Sequence, residues 1–345
     1  MSAARAAGEL LAYFESRAAA IEADLEALVV RESPSRDAEA VTRLAEWVAG
    51  RLGAAGVAAE RVPFEGRGDG VLARLGAESG GTLLLGHLDT VCPVGTLDAQ
   101  PFQRAGNLAL GPGVFDMKGG VAVLLALLTA VGERAFLPSR GVSVLLTPDE
   151  EAGSEASRGR LLEEARRRER VFVLEPSGDG GAAKVARKGI GLAAARFHGV
   201  PAHAGLEPEK GASALLEAAR FVLAADALGD REAGTTVVPT LASAGSARNV
   251  VPPEAEATVD YRFWTAAEGD RVGRALAAFA PGDPRVGVVV EAGVARPPME
   301  PTPASLELYR RARAAAASLG FGLAATRVGG ASDGNLTAAA GIPTL

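Results

Sequence analysis

The stretch Thr82-Leu-Leu-Leu-Gly-His-Leu-Asp-Thr90 decides the fold, because an almost purely apolar run ends abruptly in ionisable groups. Short apolar runs of this kind are typical of strands buried on both faces of a sheet. Two further runs, Val142–Leu146 and Val171–Leu174, have the same character and are also followed closely by acidic residues. The three runs therefore predict three neighbouring strands of one covered sheet.

Helical patterns separate these strands. Leu, Ile, Val and Ala recur at helical spacing in residues 8–30, 37–56, 119–131 and 159–168. Strands that alternate with helices indicate βαβ units. We therefore predict an α/β domain with a mostly parallel sheet and flanking helices.

The pattern changes near residue 188. Segments with strand and helix character follow one another there in the order β-α-β-β-α-β, which is that of a ferredoxin-like α+β domain. Residues 255–263 alternate between apolar and polar side chains, as a strand with one buried face does. The predicted domains are thus 1–187 with 298–345, and an inserted domain at 188–297.

Composition excludes several classes of protein. The formal net charge of −6, with no basic cluster, argues against nucleic-acid binding. Cys92 is the only cysteine, so neither an intrachain disulfide nor a thiolate metal cluster can form. The N-terminal segment lacks the apolar core of a secretory signal, and the longest apolar stretch, Gly120–Val131, is short for a membrane span. We expect a soluble, cytoplasmic protein that binds no membrane.

The ionisable groups that follow the strands are candidates for a metal site. His87 and Asp89 follow the first strand, Asp149-Glu150-Glu151 the second, and Glu175 the third, while Asp116 precedes a predicted helix. The carboxyl ends of parallel strands meet at one edge of a sheet, where ligands bind. Carboxylates packed so closely repel one another unless a cation lies among them. One imidazole with several oxygen ligands suits zinc, with cobalt or manganese as alternatives.

Each of these residues also has a structural interpretation. The pair Glu150-Glu151 ahead of a helix often only complements the helix dipole. Asp116 before a helix is equally compatible with a plain N-cap, and a single histidine after a strand is usually structural. A structural explanation would have to account for all three strand ends at once, so the metal site is the better hypothesis.

Four segments resemble motifs of the M20 metallopeptidases, and in particular those of the glutamate carboxypeptidases of the carboxypeptidase G2 type. They are Gly86–Thr90, Gly111–Gly120, Thr147–Glu151 and Leu174–Ser177. The resemblance covers roughly residues 8–345 in the family's order. It implies a zinc-peptidase-like catalytic domain with an inserted lid domain through which two chains form a homodimer.

The resemblance also implies a ligand set. Asp116 would bridge two zinc ions, His87 and Glu175 would complete one site, and Glu151 would serve the other. Asp89, two residues after His87, resembles the carboxylate that orients the imidazole, a kind of partner that changes metal affinity by roughly 10–100-fold.

Further residues carry implied catalytic and substrate-binding roles. Glu150 matches the family's general base. His203 resembles the lid histidine that reaches into the partner's active site in dimeric relatives, and Asn249 and Arg262 resemble groups that hold the substrate. A guanidinium can bind a terminal carboxylate through two parallel hydrogen bonds. We interpret His198 as structural.

The implied activity is cleavage of an amide bond next to a free carboxylate, in N-acyl amino acids or small peptides. In the family, a motif like Gly341–Leu345 leads to a further metal-binding histidine, but this chain ends at Leu345. We therefore expect a C-terminally truncated sequence whose second metal is held weakly by Asp116 and Glu151. The alternatives are an N-acyl-amino-acid deacylase or desuccinylase, and a non-catalytic relative that binds metal or peptide.

Two other motifs predict different proteins but fit poorly. Gly330-Ala-Ser-Asp-Gly334 matches the G-x-S-x-G pattern of serine hydrolases, whose triad histidine follows the serine, yet all three histidines precede Ser332. Gly189–Ala194 imitates a dinucleotide fingerprint, but Gly199 and Pro201 interrupt the helix that should follow it.

Overall fold

The chain forms two compact units. A computed structural model describes residues 3–345, with side chains described from residue 8 onward. The first unit extends to Val185 and includes Pro301–Arg327 and Ser332–Leu345; the second contains Ala186–Glu300 and Val328–Ala331. The predicted catalytic domain starts at residue 1, so its first two residues lie outside the described part.

The helices of the described residues are α1 (Ala3–Glu15), α2 (Ala18–Val29), α3 (Ala38–Ala54), α4 (Thr96–Ala99), α5 (Gly119–Gly132), α6 (Arg158–Arg166), α7 (Ala214–Asp226), α8 (Ala266–Ala277), α9 (Pro303–Ser318) and α10 (Asp333–Ala339). The helix predicted over residues 8–30 is thus two helices, α1 and α2.

The strands are β1 (Ala59–Phe64), β2 (Gly68–Leu75), β3 (Thr82–His87), β4 (Gln103–Ala105), β5 (Leu108–Leu110), β6 (Val142–Thr147), β7 (Arg170–Val173), β8 (Ala183–Arg187), β9 (Gly189–His198), β10 (Thr236–Ala244), β11 (Glu254–Phe263), β12 (Gly287–Arg296) and β13 (Ala325–Val328).

The main sheet of the first unit has the strand order β1-β2-β6-β3-β7. β3 pairs in parallel with β6 and β7, as predicted, whereas β1, β2 and β6 pair antiparallel. The sheet is therefore mixed, which differs from the mostly parallel sheet that we expected. The difference arises from the β1–β2 hairpin, whose charged and glycine-containing sequence lacks the apolar runs of the parallel strands.

β3 is buried on both faces, as its composition predicts. Leu84 packs with α3 and α5 in one apolar core, while Leu83 and Leu85 pack with α6 and α10 in another. All three side chains are at most 8% exposed. This two-sided burial fixes the strand, and with it the direction in which His87 leaves the sheet.

One helical segment of the described residues, Val114–Gly132, is long and apolar enough to cross a membrane by length and composition alone. It consists of a tight turn at Val114–Lys118 followed by α5, with non-helical backbone at Asp116 and Met117. The buried side chains of α5, among them Leu124 and Leu125, belong to the core of the first unit.

The second unit has the topology that the sequence predicts. Its antiparallel sheet has the order β10-β11-β9-β12, and α7 and α8 pack on it. Burial alternates along β11, from buried Ala255 to buried Phe263. This is the ferredoxin-like arrangement.

The dinucleotide-like segment is part of β9, so it does not form the turn and helix that cofactor binding needs. Its glycines have a packing role. A Cβ atom on Gly189 would lie 2.4 Å from the Phe263 ring, and one on Gly191 would lie 2.0 Å from the Tyr261 ring.

Candidate metal centre

The carboxyl ends of three strands in the first unit meet at one place. His87 ends β3 and lies opposite Thr147, the last residue of β6, while Glu175 follows β7 by two residues. Two glycines let the Asp116 turn approach these ends. A Cβ atom on Gly86 would lie 2.6 Å from Cε of Met117, and one on Gly120 only 2.0 Å from the Leu174 carbonyl oxygen.

The imidazole of His87 is buried among carboxylates. Its side chain is 1% exposed, and Nε2 lies 3.1 Å from Oδ1 of Asp116 and 3.6 Å from Oε1 of Glu175. Nδ1 lies 2.9 Å from the backbone oxygen of Asp89, which it can reach as a donor. That contact fixes the ring so that Nε2 faces the acids.

Asp89 joins the imidazole to the acidic pair of the next strand. It is fully buried, and its two carboxylate oxygens accept hydrogen bonds of 3.1 Å from the backbone amides of Glu150 and Glu151. Oδ1 also lies 3.4 Å from Nδ1 of His87, and Oδ2 accepts a bond of 2.6 Å from the Ser35 hydroxyl. One carboxylate thus positions both strand ends.

The structure brings five of the predicted residues into two overlapping groups. His87, Asp116 and Glu151 offer ligand atoms within 4.8 Å of one another, and so do His87, Glu150 and Glu175. The second group contains Glu150, which the sequence interpretation assigned to proton transfer and not to metal binding. The geometry therefore permits either role for Glu150.

The electrostatics of the cluster fit a cation. Burial and the nearby Asp116 carboxylate raise the pKa of Glu151 to about 7. Burial lowers the pKa of His87, but hydrogen bonding to Asp116, Asp89 and Glu175 outweighs burial and raises it well above the usual value. Positive charge is thus favoured among these acids, and an imidazole nitrogen with carboxylate oxygens is a donor set suited to zinc.

Asp149, the first of the three acids that follow β6, has a structural role. It is fully buried, and Oδ2 accepts hydrogen bonds from the backbone amides of Ala156 and Ser157 at 2.9 and 3.4 Å. It belongs to neither of the candidate metal-binding groups found among the described residues.

Two residues near the centre were not predicted from the sequence. Asp333, at the start of α10, accepts hydrogen bonds from the hydroxyls of Thr147 and Ser154. Lys118 is buried and donates from Nζ to the backbone oxygen of Arg31 at 2.7 Å, and burial lowers its pKa to about 8. Lys118 lies within the Gly111–Gly120 motif and Asp333 within the Gly330–Gly334 motif. Such a position in a motif does not reveal which distant residues a side chain contacts.

The remaining predicted residues lie in the second unit, in two places. The exposed residues His203 and Asn249 are neighbours, since His203 bridges to Val250 and the Ala204 amide donates to the Asn249 carbonyl. Arg262 lies near the far end of β11, roughly 25 Å along the extended strand from its start.

The Arg262 guanidinium already has an acidic partner within its own strand. Nε and Nη2 donate to the two carboxylate oxygens of Asp260 at 2.6 and 2.8 Å. His198, at the end of β9, is exposed and belongs to neither candidate metal-binding group of the described residues, and its structural interpretation stays a prediction.

Ser332 of the G-x-S-x-G segment is fully buried, and its hydroxyl accepts from the Gly334 amide at the start of α10. It caps a helix and is not exposed as a nucleophile would be. The serine-hydrolase alternative is therefore not supported.

Comparison with protein families identifies two segments. Residues 185–283 match the peptidase dimerisation domain of the M20 family, and residues 71–192 match peptidase family M28.

Curated relatives agree with these matches. The chain is 33% identical to carboxypeptidase G2 of Pseudomonas sp. (strain RS-16) over 243 residues, or 69% of this chain. It is also 33% identical to a succinyl-diaminopimelate desuccinylase of Methylobacterium nodulans over 246 residues, or 63% of this chain. These matches span 59% and 61% of the relatives' own lengths. The chain is therefore similar to the M20 metallopeptidases in its second unit, and to carboxypeptidase G2 over most of its own length.

Solved structures share the fold. The aminopeptidase PepT of Bacillus cereus aligns with a TM-score of 0.75 at 22% identity, over 94% of this chain and 88% of that one. A dinuclear metal-binding peptidase of the M20 family from Bacillus subtilis aligns with a TM-score of 0.68 at 16% identity, over 96% and 88%.

Proposed function

We propose that the protein is a metal-dependent hydrolase that cleaves the amide bond of N-acyl amino acids or small peptides with a free C-terminal carboxylate. The observation that carries this proposal is the cluster of one imidazole and several carboxylates beyond the ends of β3, β6 and β7. Its position at the carboxyl edge of the sheet is where α/β folds bind ligands. The names of the relatives, a carboxypeptidase and a desuccinylase, support amide hydrolysis.

The residues that would hold the metal are His87, Asp116, Glu151 and Glu175, with Asp116 as the shared ligand of two ions. We propose zinc, with cobalt or manganese as alternatives, because a nitrogen and oxygen donor set without thiolate accommodates these ions. When bound, such ions supply the Lewis acidity that amide hydrolysis requires.

We propose that Glu150 moves the proton. Its carboxylate takes a proton from the attacking water and returns it to the nitrogen of the leaving amine, a role worth roughly 10²–10⁴-fold in rate. Two contacts support this assignment. Asp89 holds the backbone amide of Glu150 at 3.1 Å, and the Glu150 carboxylate lies close to His87 and Glu175.

Substrate recognition is assigned to the second unit. We propose that Arg262 binds the free carboxylate and that Asn249 and His203 contact the substrate at the reacting end. Since Asp260 occupies Nε and Nη2 of Arg262, the substrate carboxylate would have to bind Nη1 or displace Asp260. His203 and Asn249 are exposed and lie together, as a pair that acts in the active site of a second chain would.

A homodimer through the second unit completes the proposal. α7 and the edge strand β10 carry exposed apolar side chains, including Leu215 at 50%, Leu223 at 71% and Leu241 at 71%. The matching family model is a dimerisation domain. Exposed apolar clusters of this kind mark association surfaces.

The experiment is an amide-hydrolysis screen of zinc-loaded protein on N-acyl derivatives of glutamate, aspartate and arginine, with the released amine measured. We expect release that disappears on chelation and returns with zinc. The preferred amino acid separates a glutamate carboxypeptidase from a broader deacylase. Protein that binds zinc but releases no amine from any substrate would contradict the hydrolase and favour a non-catalytic binding relative.

A further inference from the structure

Met117 lies between two of the proposed metal ligands in the first unit. It follows Asp116 directly in the chain, and its sulfur atom Sδ accepts a hydrogen bond of 3.1 Å from the backbone amide of His87. Met117 is only 1% exposed. One buried residue is thus joined covalently to Asp116 and bonded to the strand end that carries His87.

The sulfur atom lies where the pairing of β3 with β7 ends. The last paired residues are Leu85 and Val173, and the Leu174 amide donates to the Leu85 oxygen at 2.8 Å. Backbone groups two residues apart along a strand point to the same side, so the amide of His87 faces the β7 side as Leu85 does. The thioether of Met117 therefore satisfies a strand-end amide beyond the last residues that pair with β7.

Two glycines form the slot that holds the thioether. A Cβ atom on Gly86 would lie 2.6 Å from Cε of Met117 and 3.2 Å from Sδ, and one on Gly120 would lie 3.0 Å from Cε. Gly86 belongs to β3, and Gly120 lies in the first turn of α5. The absence of side chains at both positions leaves the room that the Met117 side chain occupies between the strand and the helix.

The chain on the other side of Met117 is held by separate contacts. The Lys118 amide donates to the Gly113 oxygen at 2.9 Å, and Nζ of Lys118 donates to the Arg31 oxygen at 2.7 Å. Between these contacts and β3, the backbone of Asp116 and Met117 is not helical, so regular helix geometry does not position the Asp116 carboxylate. The turn is anchored at Lys118 on one side and, through Met117, at β3 on the other.

The spacing of the two ligands depends on the anchor at β3. Oδ1 of Asp116 lies 3.1 Å from Nε2 of His87, and the Asp116 side chain is 49% exposed. Because half of this side chain contacts solvent, its direction depends largely on the backbone that carries it. Ligands that are held in place in advance lose less conformational freedom when a cation binds.

We infer that Met117 is a positioning residue: the hydrogen bond that its sulfur accepts from the His87 amide sets the separation of His87 and Asp116 before a cation binds. This inference rests on the proposed function, because it takes both residues as metal ligands. Met117 acts through the two ligands and does not bind the cation itself. Groups that support metal ligands in this way change metal affinity by about 10–100-fold.

The test removes the sulfur atom and keeps the shape of the side chain. The chain has three methionines, Met1, Met117 and Met299. In a Met299→Leu background, expression with norleucine replaces the thioether of Met117 by a methylene group, and competition with a chromogenic chelator measures the zinc affinity. We expect norleucine to weaken zinc binding by about tenfold or more. Selenomethionine, whose selenium atom can still accept the hydrogen bond, should leave the affinity unchanged.

Single substitutions give a matched comparison. Met117→Leu keeps the volume but not the acceptor, so its zinc affinity should fall as with norleucine. Met299→Leu is the control, because Met299 is 2% exposed and belongs to the second unit. In the Met117→Leu, Met299→Leu double variant, norleucine enters only at Met1 and should change nothing further.

A spectroscopic reading accompanies the affinities. In protein labelled with ¹³C in the methionine methyl groups, the signal of Met117 is the one that disappears in Met117→Leu. Addition of zinc should shift this signal and leave that of Met299 in place, because Met117 contacts the backbone of one ligand and adjoins the other.

Equal zinc affinity of the norleucine and methionine proteins would overturn the role of the sulfur atom, even with weak binding by Met117→Leu, because packing alone would then explain that loss. A Met117 signal that zinc does not shift would also contradict the inference. Hydrolysis is judged separately. If the zinc affinities follow the expected order but no N-acyl substrate releases amine, the proposed function fails and the positioning role holds. A wild type that binds no zinc would overturn both.

Discussion

The carboxylate of Asp333 accepts a hydrogen bond of 3.1 Å from the hydroxyl of Thr147, although the two residues are 186 positions apart in the sequence. The other oxygen of Asp333 accepts from the hydroxyl of Ser154. All three side chains are at most 2% exposed. The start of α10 thus holds both ends of the loop that carries Glu150 and Glu151.

Asp333→Ala should destabilise the protein and lower hydrolysis, because it leaves two buried hydroxyls without this acceptor. Loss of a buried hydrogen-bond partner costs about 1–3 kcal/mol for each unsatisfied group. Urea unfolding would measure the stability, and Thr147→Val combined with Asp333→Ala would isolate their coupling. Additive effects of the two substitutions would show that the contact contributes nothing.

Glu150→Gln should abolish amide hydrolysis and keep the zinc content near that of the wild type. The amide retains the shape of the side chain but cannot take a proton from water, so a loss of roughly 10²–10⁴-fold is expected. Steady-state rates and elemental analysis of the same sample give both readings.

The two possible roles of Glu150 predict different metal contents. If Glu150 is a ligand together with His87 and Glu175, its replacement should also release zinc. Glu175→Gln is the matched comparison, since a ligand variant should lose metal. Equal metal loss in both variants would assign Glu150 to metal binding and remove it from proton transfer.

Asp89→Asn should weaken zinc binding by about 10–100-fold, the usual effect of altering a group that supports metal ligands. The Asp89 carboxylate lies 3.4 Å from Nδ1 of His87 and accepts from the amides of Glu150 and Glu151, whereas the backbone contact to His87 remains in the variant. The amide nitrogen cannot accept the hydrogen bonds that a carboxylate oxygen of Asp89 takes from Glu151 or Ser35. Competition with a chromogenic chelator measures the affinity. Asp24→Asn is the control, because Asp24 is a nearly buried acid that pairs with Arg51 and does not belong to the centre. Equal affinity loss in both variants would indicate general destabilisation.

Much of this arrangement could be predicted from local pattern. Apolar runs such as Thr82–Leu85 mark β3 because burial on both faces leaves no position for a polar side chain. The alternation at residues 255–263 gives the register of β11, since one face is buried. Because the carboxyl ends of parallel strands meet at one edge of a sheet, His87 and the acids could be predicted to lie together before any distance was measured.

The antiparallel half of the sheet and the supporting contacts could not be predicted. β1 and β2 contain charged residues and glycines. β1 pairs with β2, and β2 pairs with β6, but the local sequence does not reveal these partners. The contacts of Asp333 with Thr147 and of Ser35 with Asp89 join distant segments, so no local pattern encodes them. The pairing of Arg262 with Asp260 is an exception, because their i, i+2 spacing places both side chains on one face of β11.

The contribution of Glu164 to the free energy of unfolding should depend on pH. Glu164 is fully buried and bonded to Arg74 and Ser143. Burial alone would raise the pKa of Glu164, but hydrogen bonds from Arg74 and Ser143 outweigh burial and lower it. The stabilisation is therefore complete above the unfolded-state pKa of about 4.3 and is lost as the pH falls through the lower folded-state pKa.

Glu164→Gln should accordingly cost roughly 1–3 kcal/mol at pH 7, since the acid is fully buried but its partner Arg74 is 35% exposed. The difference from the wild type should shrink as the pH falls from the unfolded-state pKa of about 4.3 through the lower folded-state pKa of Glu164, where the wild-type carboxylate becomes protonated. Chemical denaturation at several pH values measures this. Glu163→Gln, an exposed acid on the same helix, should have a smaller effect. A difference that is constant with pH would indicate that packing, not charge, is lost.

Leu223→Asp should convert the proposed dimer to a monomer. Leu223 is 71% exposed on α7 and lies in an apolar cavity wall with Leu215 and Ala242 of β10, so a charge there would have to be desolvated in an interface between two chains. Sedimentation velocity should give one species of about 35.0 kDa for the variant and one of twice that mass for the wild type. Leu137→Asp is the control, because Leu137 is 69% exposed and belongs to the first unit, whereas α7 and β10 belong to the second. A wild type that is already monomeric at micromolar concentration, or a Leu223→Asp variant that stays dimeric, would show that this surface does not join the chains.

Since His203 is assigned to the partner's active site, dissociation should lower hydrolysis in parallel with the loss of dimer.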